Sequence, residues 1–214
     1  MDFSSCYESA NNISTNDSKI AGVDEAGRGA LCGPVVSSAV ILNWQNPIFG
    51  LNDSKKLTSK KRDNLFAEIY AKALFVSIGI VEPQKIDEIN ILNAALLSMK
   101  MAIDGLNEVP KLVLVDGNKR IPNLEIEQKT LVGGDAISCS IAAASIIAKV
   151  TRDRLMLIYH EQYPQYALAS HKGYGTKKHY DAILKHGVTK IHRQSFNLSV
   201  QQSLWEILSP NPLP

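Results

Sequence analysis

The chain has 214 residues, of which 45% are hydrophobic, and its formal net charge is +2 at pH 7. This length suffices for one domain with a full hydrophobic core, and the near-neutral balance names no strongly charged partner. Cys6, Cys32 and Cys139 lie far apart without a CxxC pair. This spacing argues against a disulfide framework and a zinc site, and it fits a reducing compartment.

No segment has the features of a targeting or membrane-spanning element. The first residues, MDFSSCYESANNISTNDSK, lack the apolar stretch of a signal peptide. The apolar run ISCSIAAASIIAKV is too short to cross a bilayer and contains a lysine near its end. We therefore expect a cytoplasmic, monomeric protein that does not contact a membrane.

In chain order, the pattern predicts a flexible segment and then a pair of strands. Residues 1–18 are rich in Ser, Asn and Asp, which is typical of a flexible tail. Residues 19–24 and 35–42 are rich in Val and Ile and predict strands. The Cys-Gly-Pro sequence at 32–34 is the turn between them, so we expect an antiparallel pair.

The rest of the chain alternates predicted helices and strands. Thr58 is expected to cap a helix that extends to about Lys72, and LFVSIGIVE follows as a third strand. KIDEINILNAALLSMKMAIDGL has apolar residues three and four apart, which predicts a helix with a break near Asn90. KLVLVDG and IEQKTLV predict strands, AISCSIAAASIIAKVTRDRLMLIYH a long helix, and TKKHYDAILKHG a helix that ends before Gly187. This order predicts a mixed sheet with helices packed on it.

Carboxylates stand at the ends of several predicted strands. Asp24 and Glu25 end one apolar strand, Asp116 ends another, and Asp135 precedes the long helix. If the two strands are neighbours, their carboxylates converge at one edge and raise each other's pKa. Divalent cations relieve such repulsion, and oxygen ligands without Cys or His suit Mg²⁺ or Mn²⁺ better than Zn²⁺. Two such ions about 4 Å apart can hold the attacking water and the leaving oxygen of a phosphodiester.

The acids also have purely structural interpretations. Asp135 could serve only as a helix N-cap, and Asp116 before Gly117 could only complete a turn. Side chains alternate across a strand, so Glu25 shares a face with Asp24 only where the strand bends or ends. Otherwise Glu25 could bind a metal through its backbone carbonyl. GVDEAGRG spaces its glycines like a phosphate-binding loop but lacks the Lys-Ser/Thr pair that should follow.

Six sequence blocks occur in order along most of the chain. They are AGVDEAGRGALCGPVV, LNDSKKLTSKKR, LVDGN, GGDAISCSIAAASIIAKVTRDRLM, HKGYGTKKHY and HRQSF. These blocks resemble the signature blocks of ribonuclease HII, from about Ile20 to Phe196. The GRG motif (Gly27–Gly29) separates this family from ribonuclease HIII, which lacks the motif and carries an extra N-terminal domain. Family members often have proline after the motif, where this chain has Ala30.

The resemblance implies a ribonuclease H-like α/β fold, with a central five-stranded mixed sheet flanked by helices and a C-terminal helical part. It implies a metal-dependent endonuclease that cleaves the RNA strand of RNA–DNA hybrids. It also implies cleavage 5′ to ribonucleotides embedded in duplex DNA, which leaves 3′-hydroxyl and 5′-phosphate ends. On this resemblance we predict a catalytic domain at 19–197, between the tail at 1–18 and a C-terminal helix and tail at 198–214.

The family's functional residues can be transferred to matching positions of the motifs. The catalytic, metal-binding acids fall on Asp24, Glu25, Asp116 and Asp135. The substrate-binding residues fall on Gly27, Arg28, Gly29, Lys55 and Tyr174. The expected cofactor is Mn²⁺ or Mg²⁺, with two ions in the active complex. The expected partners are RNA–DNA hybrid and duplex DNA that contains ribonucleotides.

Physical chemistry agrees with those roles. Only the 2′-hydroxyl distinguishes a ribonucleotide from its neighbours at the sugar, and glycines let the backbone approach it closely. Arg28 offers a rigid fork for phosphate, and the Tyr174 ring can stack on a sugar or base. The structural alternatives are a flexible turn with a solvated arginine and an ordinary packed tyrosine.

Basic residues occur in three clusters. The clusters comprise Lys55, Lys56, Lys60, Lys61 and Arg62; Lys149, Arg152 and Arg154; and Lys172, Lys177 and Lys178. Such clusters either form solvated faces or line a groove for the backbone of a duplex. His192, beside Arg193, is expected to have a structural role.

Two other functions and one further partner remain open from the sequence. The functions are a module that grips RNA–DNA hybrids without cutting and a DNA nuclease on the same fold. The four acids speak against the first, and the GRG motif speaks against the second. Family members often carry a C-terminal segment that binds a sliding clamp, and SVQQSLWEILSPNPLP is the candidate here. The alternative for that segment is a terminal helix that packs Leu204, Trp205 and Leu208 on the core.

Overall fold

A five-stranded mixed sheet lies at the centre of the protein, in a computed structural model that describes residues 5–11, 13, 19–196 and 198. The strands are β1 (Ile20–Ala26), β2 (Val35–Ile41), β3 (Phe75–Val81), β4 (Leu112–Asp116) and β5 (Glu127–Leu131). Their order across the sheet is β3-β2-β1-β4-β5. The β1–β2 and β2–β3 pairs are antiparallel, whereas β1–β4 and β4–β5 are parallel. The predicted fold class is confirmed.

The helices follow the predicted order, with two short additions. They are α1 (Tyr7–Ala10), α2 (Ser59–Lys72), α3 (Pro83–Asp104), α4 (Cys139–Gln162), α5 (Leu168–His171) and α6 (Lys177–His186). Short 3-10 helices occur at Ser54–Lys56, Gly134–Ala136 and Pro164–Tyr166. None of the helices in the described ranges is long and apolar enough to cross a membrane.

Local sequence signals set the helix boundaries as expected. The Thr58 side chain accepts the N–H of Lys61 and caps α2, and the Thr176 side chain caps α6 in the same way. The expected break in α3 falls at Asn90, which has a positive φ of 65°. Hydrogen-bonding side chains and one left-handed residue therefore determine where these helices begin and bend.

Two glycines let helices approach opposite faces of the sheet. α2 and α4 cover one face, and α3 covers the other. At Gly22 in β1, a Cβ atom would lie 2.1 Å from the carbonyl carbon of Ser140, at the start of α4. At Gly79 in β3, it would lie 1.9 Å from the backbone oxygen of Ser98 in α3. Only glycine permits such contact between backbones, and at Gly22 this contact brings the start of α4 against β1.

A separate apolar cluster forms the C-terminal helical part. It contains Leu31, Cys32, Met156, Tyr166, Leu168, Ile183 and Ile191. These residues come from the loop after β1, the second half of α4, and the segments around α5 and α6. The cluster therefore packs the loop after β1 against the chain that follows α4.

The N-terminal segment differs from the flexible tail expected for residues 1–18. In the part that the structure describes, α1 buries the side chain of Glu8 completely. Its carboxylate accepts hydrogen bonds from the Ser138 hydroxyl at 2.6 Å, the Ser140 N–H at 2.9 Å and the Cys139 N–H at 3.2 Å. The first N–H groups of a helix lack partners within it, and a negative charge there is favourable. The polar composition of residues 1–18 gave no indication of this buried, hydrogen-bonded carboxylate.

The predicted helix and clamp-binding segment at 198–214 cannot be compared in the same way, because all of that range except Leu198 lies outside the described residues.

The Glu8 anchor yields a test of stability. Glu8→Ala should lower the free energy of unfolding by about 2–4 kcal/mol, because it leaves buried donors at the start of α4 unpaired. Glu108 forms an exposed ion pair with Lys19 at 2.7 Å and provides the control. Glu108→Ala should change the stability by no more than about 0.5 kcal/mol. Urea unfolding measures both, and equal effects would show that Glu8 does not anchor α4.

Candidate active site

Two carboxylates lie beside each other where the parallel strands β1 and β4 end. Val23 pairs with Val115 in the sheet, so the next residues, Asp24 and Asp116, meet at the same edge. Asp24 is buried, with 6% of its surface exposed. Its carboxylate accepts the Glu25 N–H at 2.7 Å and also bonds the Ser145 side chain. The structure therefore produces the convergence that the strand ends suggested.

Backbone and helix contacts fix the second carboxylate and the nearby Asp135. Asp116 Oδ1 accepts the Gly134 N–H at 2.7 Å, which joins β4 to the 3-10 helix that carries Asp135. α4 begins only at Cys139, and Ser138 is its N-cap. The interpretation of Asp135 as nothing more than a helix cap is therefore wrong.

Glu25 turns toward the opposite side of β1 from Asp24 but reaches the same sheet edge. Its side chain pairs with Arg28 Nη1 at 3.1 Å. It also lines a cavity of about 220 Å³ between the sheet edge and α3, together with Asp116 and Arg28. β1 continues to Ala26, but its pairing with β4 stops at Val23, and beyond that point both side chains reach the site. The alternation of side chains alone did not predict this.

The electrostatics of the site reflect burial and mutual repulsion. Burial raises the pKa of Asp24 well above its usual value, and the charges of Glu25 and Asp116 raise it further. Burial also raises the pKa of Glu25, although Arg28 opposes this shift. The pKa of Asp135 is raised to about 6 by burial and by the charges of Asp53 and Asp116. The site is thus crowded with negative charge.

Lys55 lies near these acids, and their negative charges affect its pKa. Burial lowers its pKa, but the surrounding acids, led by Asp24 and Asp53, outweigh that effect and raise it. Asp53 was not singled out from the sequence, yet its side chain bonds that of Asp135. It also accepts the Lys55 N–H at 2.9 Å and so shapes the loop. Lys55 therefore remains charged beside the acids.

One cavity of about 450 Å³ joins the acids to the other predicted residues. Its lining includes Asp24, Glu25, Gly27, Arg28, Gly29, Ser54, Lys55, Ser145, Lys149 and Tyr174. Seven of the nine predicted site residues thus share one space. Asp116 lines the neighbouring cavity, and Asp135 contributes through its charge and its contact with Asp53 rather than as a wall of either.

The two glycines of the GRG motif have different structural roles. Gly27 has a φ of +98°, and a Cβ there would lie 2.0 Å from Nε of Arg152. A Cβ at Gly29 would meet nothing within 4 Å. Gly27 is therefore required by the fold, whereas Gly29 leaves open space at the cavity wall.

Tyr174 lies across the cavity from the acids and next to the GRG loop. It forms an isolated β-bridge with Ala30, the residue that stands where the family often has proline. Tyr174 is 36% exposed, with the Arg152 guanidinium 5.4 Å and the Lys149 amine 5.8 Å from the centre of its ring. The exposed part of the side chain is therefore available to a ligand, and the two cations lie close enough to the ring to attract it.

The basic clusters are only partly surface features. Arg152 belongs to one of the clusters expected either to form a solvated face or to line a groove for a duplex, but it is completely buried. It donates to the backbone oxygens of Pro34, Cys32 and Lys172 at 3.0–3.1 Å. Neither expectation holds for Arg152, because buried carbonyls replace solvent around its guanidinium.

Several site residues were not singled out from the sequence. Ser54, Ser145 and Lys149 all line the main cavity. Ser145 and Lys149 are four residues apart in α4 and therefore lie on one face of the largely apolar first half of this helix. The spacing of these two polar residues could have indicated that they belong to the site. No feature of the sequence indicates the hydrogen bond between Ser145 and Ser54 at 2.9 Å.

The residues at the sheet edge fit a divalent cation chemically. All the candidate donors, Asp24, Glu25, Asp116 and Asp135, are hard carboxylate oxygens, which suit Mg²⁺ or Mn²⁺. Burial and mutual repulsion raise the pKa values of Asp24 and Asp135, and a bound cation would lower these values again. Among the described residues, no three of these acids bring oxygen atoms within 4.8 Å of one another. The carboxylates thus face one region without forming a closed cage.

A five-stranded mixed sheet that gathers carboxylates at the ends of β1 and β4 defines the ribonuclease H-like class of nucleases. The sequence model described as Ribonuclease HII matches residues 21–199. A ribonuclease HII from Shewanella amazonensis is 56% identical over 178 residues, which cover 83% of this chain and 86% of that relative. The chain belongs to the ribonuclease HII family and is an endonuclease of the ribonuclease H type.

Solved structures agree with this assignment. A ribonuclease H2 from Pyrococcus horikoshii OT3 is 27% identical and superimposes with a TM-score of 0.71, over 86% of this chain and 96% of that chain. A ribonuclease HII from Archaeoglobus fulgidus, solved in a complex with PCNA, is 25% identical with a TM-score of 0.68. That match covers 85% of this chain and 96% of the other.

The different surroundings of the two glycines yield a matched stability test. Gly27→Ala should lower the free energy of unfolding by about 1–3 kcal/mol, because the residue is left-handed and a methyl group meets buried Arg152. Gly29→Ala should change it by no more than about 0.5 kcal/mol. Thermal or urea unfolding distinguishes them, and similar losses would contradict the described loop geometry.

Proposed function

We propose that this protein cleaves the RNA strand of RNA–DNA hybrids and cuts 5′ to ribonucleotides embedded in duplex DNA, leaving 3′-hydroxyl and 5′-phosphate ends. The observation that carries the proposal is the shared cavity, in which Asp24 lies within a few residues of the GRG motif and faces Tyr174. Groups suited to hydrolysis and groups suited to reading a sugar thus line one space. A single nucleotide can contact both.

We assign the metal site to Asp24, Glu25, Asp116 and Asp135, with Mg²⁺ or Mn²⁺ as cofactor and two ions in the active complex. Bound cations would lower the pKa of a water molecule and neutralise charge that develops on the phosphate. The chain's own contacts orient the ligands. The Ser145 side chain bonds Asp24, and the Gly134 N–H holds Asp116.

The cations that line the cavity, Lys55, Arg28 and Lys149, serve the substrate phosphates in this proposal. Lys55 stays charged among the acids and lines the cavity, so it can contact the phosphate nearest the cut. Arg28 has 53% of its side chain exposed, and among the described residues its guanidinium pairs with Glu25 alone. Its planar fork can therefore exchange this partner for a phosphate oxygen.

Recognition of the ribonucleotide is assigned to the GRG backbone and Tyr174. The open space at Gly29 admits the sugar close to the backbone, where peptide groups can bond a 2′-hydroxyl. The exposed face of Tyr174 can stack on the adjacent sugar or base. Phosphate contacts fix the register of the duplex, and these two features read the sugar.

A cleavage assay separates this function from its alternatives. The substrate is duplex DNA with one embedded ribonucleotide, compared with an all-DNA duplex and an RNA–DNA hybrid, each with and without Mg²⁺. The proposal predicts Mg²⁺-dependent cutting of the first and third substrates at the 5′ side of a ribonucleotide. Cutting of all-DNA duplex would support a DNA nuclease, and binding without cutting would support a non-cleaving module.

A sliding clamp is the proposed partner of residues 198–214, and the solved complex of the Archaeoglobus fulgidus relative with PCNA supports this. A chain that ends at Leu198 should lose binding to a clamp while it retains cleavage. Unchanged clamp binding by the truncated chain would contradict the assignment.

The acid cluster yields a prediction about activity. Asp24→Asn and Asp116→Asn should each lower kcat by about a thousandfold or more, because losing a ligand removes several kcal/mol of transition-state stabilisation. Folding should remain intact, since each change removes like-charge repulsion. Single-turnover cleavage at saturating Mg²⁺ measures the effect, with unfolding curves as the control. Near wild-type turnover in either variant would exclude that residue from the metal site.

The cavity lysines yield a prediction about binding. Lys149 lines the cavity and pairs with Asp153 at 2.8 Å. Lys100 pairs with Asp104 at 2.7 Å in a similar way but lines neither cavity of the site. Lys149→Ala should reduce the slope of log affinity against log salt by about one unit, because one phosphate contact is lost. Lys100→Ala should leave the slope unchanged. Fluorescence anisotropy with a hybrid duplex in Ca²⁺ measures both, and equal slopes would place Lys149 outside the interface.

A further inference from the structure

The GRG loop and the Tyr174 loop rest on one short segment near the end of the described chain. The Leu31 N–H donates to the Gly173 oxygen at 2.8 Å, which joins the two loops. On the other side, the Arg193 N–H donates to the Leu31 oxygen at 2.9 Å. Cys32 also forms an isolated β-bridge with His192. The loop after β1 is therefore held between the Tyr174 loop and residues 191–193.

Arg193 fixes the backbone of the GRG motif. Its side chain is completely buried. Nη2 donates to the Gly27 oxygen at 2.8 Å, Nη1 to the Arg28 oxygen at 2.9 Å, and Nε to the Gly33 oxygen at 3.0 Å. A carbonyl and the N–H that follows it in a trans peptide point in opposite directions. Arg193 thus directs the next two N–H groups of the motif away from itself.

His192 reaches the Tyr174 loop through a second histidine. The Thr189 N–H donates to His192 Nδ1 at 3.0 Å, so the proton of the neutral ring is on Nε2. That Nε2–H donates to His179 Nε2 at 3.3 Å. The remaining proton of His179, on Nδ1, is donated to the Tyr174 oxygen at 3.1 Å. Each ring proton of the two histidines thus has one assigned acceptor, and the Cys32 Sγ also lies 3.8 Å from His179 Nε2.

Burial supports the neutral state that the chain of hydrogen bonds requires. His179 and His192 have 0% and 1% of their surface exposed, and burial lowers the pKa of each to about 4. At neutral pH both rings therefore carry a single proton. If His179 carried a second proton, its Nε2–H would face the Nε2–H of His192, and the hydrogen bond between the two rings would be lost.

The same histidines form a trio with Cys32 whose ligand atoms lie within 4.8 Å of one another, as a zinc site would require. Three features favour hydrogen bonding instead. The Thr189 N–H fixes the proton of His192 on the nitrogen that would bind the metal. Burial raises the pKa of the Cys32 thiol to about 12, and Arg152 and Arg193 lie close enough to repel a cation. The trio thus works as a structural contact.

We propose that His192 and Arg193 are positioning residues that set the distance between the GRG backbone and Tyr174, and thereby determine selectivity for a single embedded ribonucleotide. The inference rests on the proposed function, because it assumes that both loops contact the nucleotide at the cut. Neither residue lines the cavity. Arg193 acts through the carbonyl oxygens of Gly27 and Arg28 that it holds. His192 acts through His179, which in turn holds the Tyr174 oxygen.

The expected effect depends on the number of ribonucleotides. With one ribonucleotide, recognition requires both loops in one fixed arrangement, and a displacement of about 1 Å can cost about a hundredfold in rate. A run of four ribonucleotides offers alternative registers, so a displaced loop can still contact the 2′-hydroxyl of one of them. Selectivity, rather than general activity, is therefore the quantity that these residues control.

The test compares kcat/KM for duplexes with one and with four ribonucleotides. Arg193→Lys keeps the charge but removes the fork. His192→Gln keeps an N–H donor near the Nε2 position but no longer has the Nδ1 atom that accepts the Thr189 N–H. We expect each variant to lower the ratio of one-ribonucleotide to four-ribonucleotide cleavage by about tenfold, the effect of one lost buried hydrogen bond. The exposed His186 is the control, and His186→Gln should leave the ratio unchanged.

Two further readouts exclude a general loss of structure. In a Tyr174→Ala background, His192→Gln should cause no additional change in the ratio, because both changes act on the same contact. Nitrogen-15 spectra of the histidine rings should show an unprotonated Nδ1 in His192 and an unprotonated Nε2 in His179. Should Arg193→Lys fail to fold, these His192 measurements test the proposal alone.

The outcomes are distinguishable. Equal losses on both substrates, additive effects with Tyr174→Ala, or one equivalent of tightly bound zinc at the trio would overturn the inference. If the wild-type protein does not cut the one-ribonucleotide duplex at all, the proposed function itself is wrong. Wild-type cutting together with unchanged ratios in both variants contradicts only the positioning role.

Discussion

Carboxylates that lie side by side repel one another, and the structure around the sheet edge depends on the contacts that offset this repulsion. The parallel pairing of β1 and β4 forces Asp24 and Asp116 together. Asp24 then accepts the Glu25 N–H and bonds the Ser145 side chain, and Asp116 accepts the Gly134 N–H. Lys55 supplies positive charge nearby. These contacts orient the acids but do not remove their repulsion. The remaining excess of negative charge suits the site to divalent cations.

The helix that supplies Ser145 is itself placed by distant features. α4 can contact β1 closely because Gly22 has no side chain. Its first turn is held by the Glu8 carboxylate, which comes from the opposite end of the chain. Further along, Lys149 faces the cavity, whereas Arg152 is buried beneath Gly27. One helix thus connects the acids, the cavity wall and the support of the recognition loop.

Sequence patterns predicted the sheet, most helix boundaries and the convergence of the acids, because each depends on local signals. The cap at Thr58, the break at Asn90 and the carboxylates at strand ends can all be read within a few residues. Arg152 could not be placed in this way. Its partners are carbonyls of Cys32 and Pro34, about 120 positions earlier, so nothing local distinguishes it from a surface arginine. The burial of Glu8 depends on an equally distant helix.

We infer that repulsion among the acids destabilises the metal-free protein and that divalent cations relieve it. Urea unfolding of the wild type and of Asp24→Asn, in EDTA and then in Mn²⁺, measures both effects. In EDTA the variant should be more stable by about 1 kcal/mol or more, since an ionised Asp24 is disfavoured in the folded state. In Mn²⁺ the wild type should gain more stability than the variant, because it binds the ion more tightly. A variant that is less stable in EDTA, or that gains as much from Mn²⁺, would contradict the account.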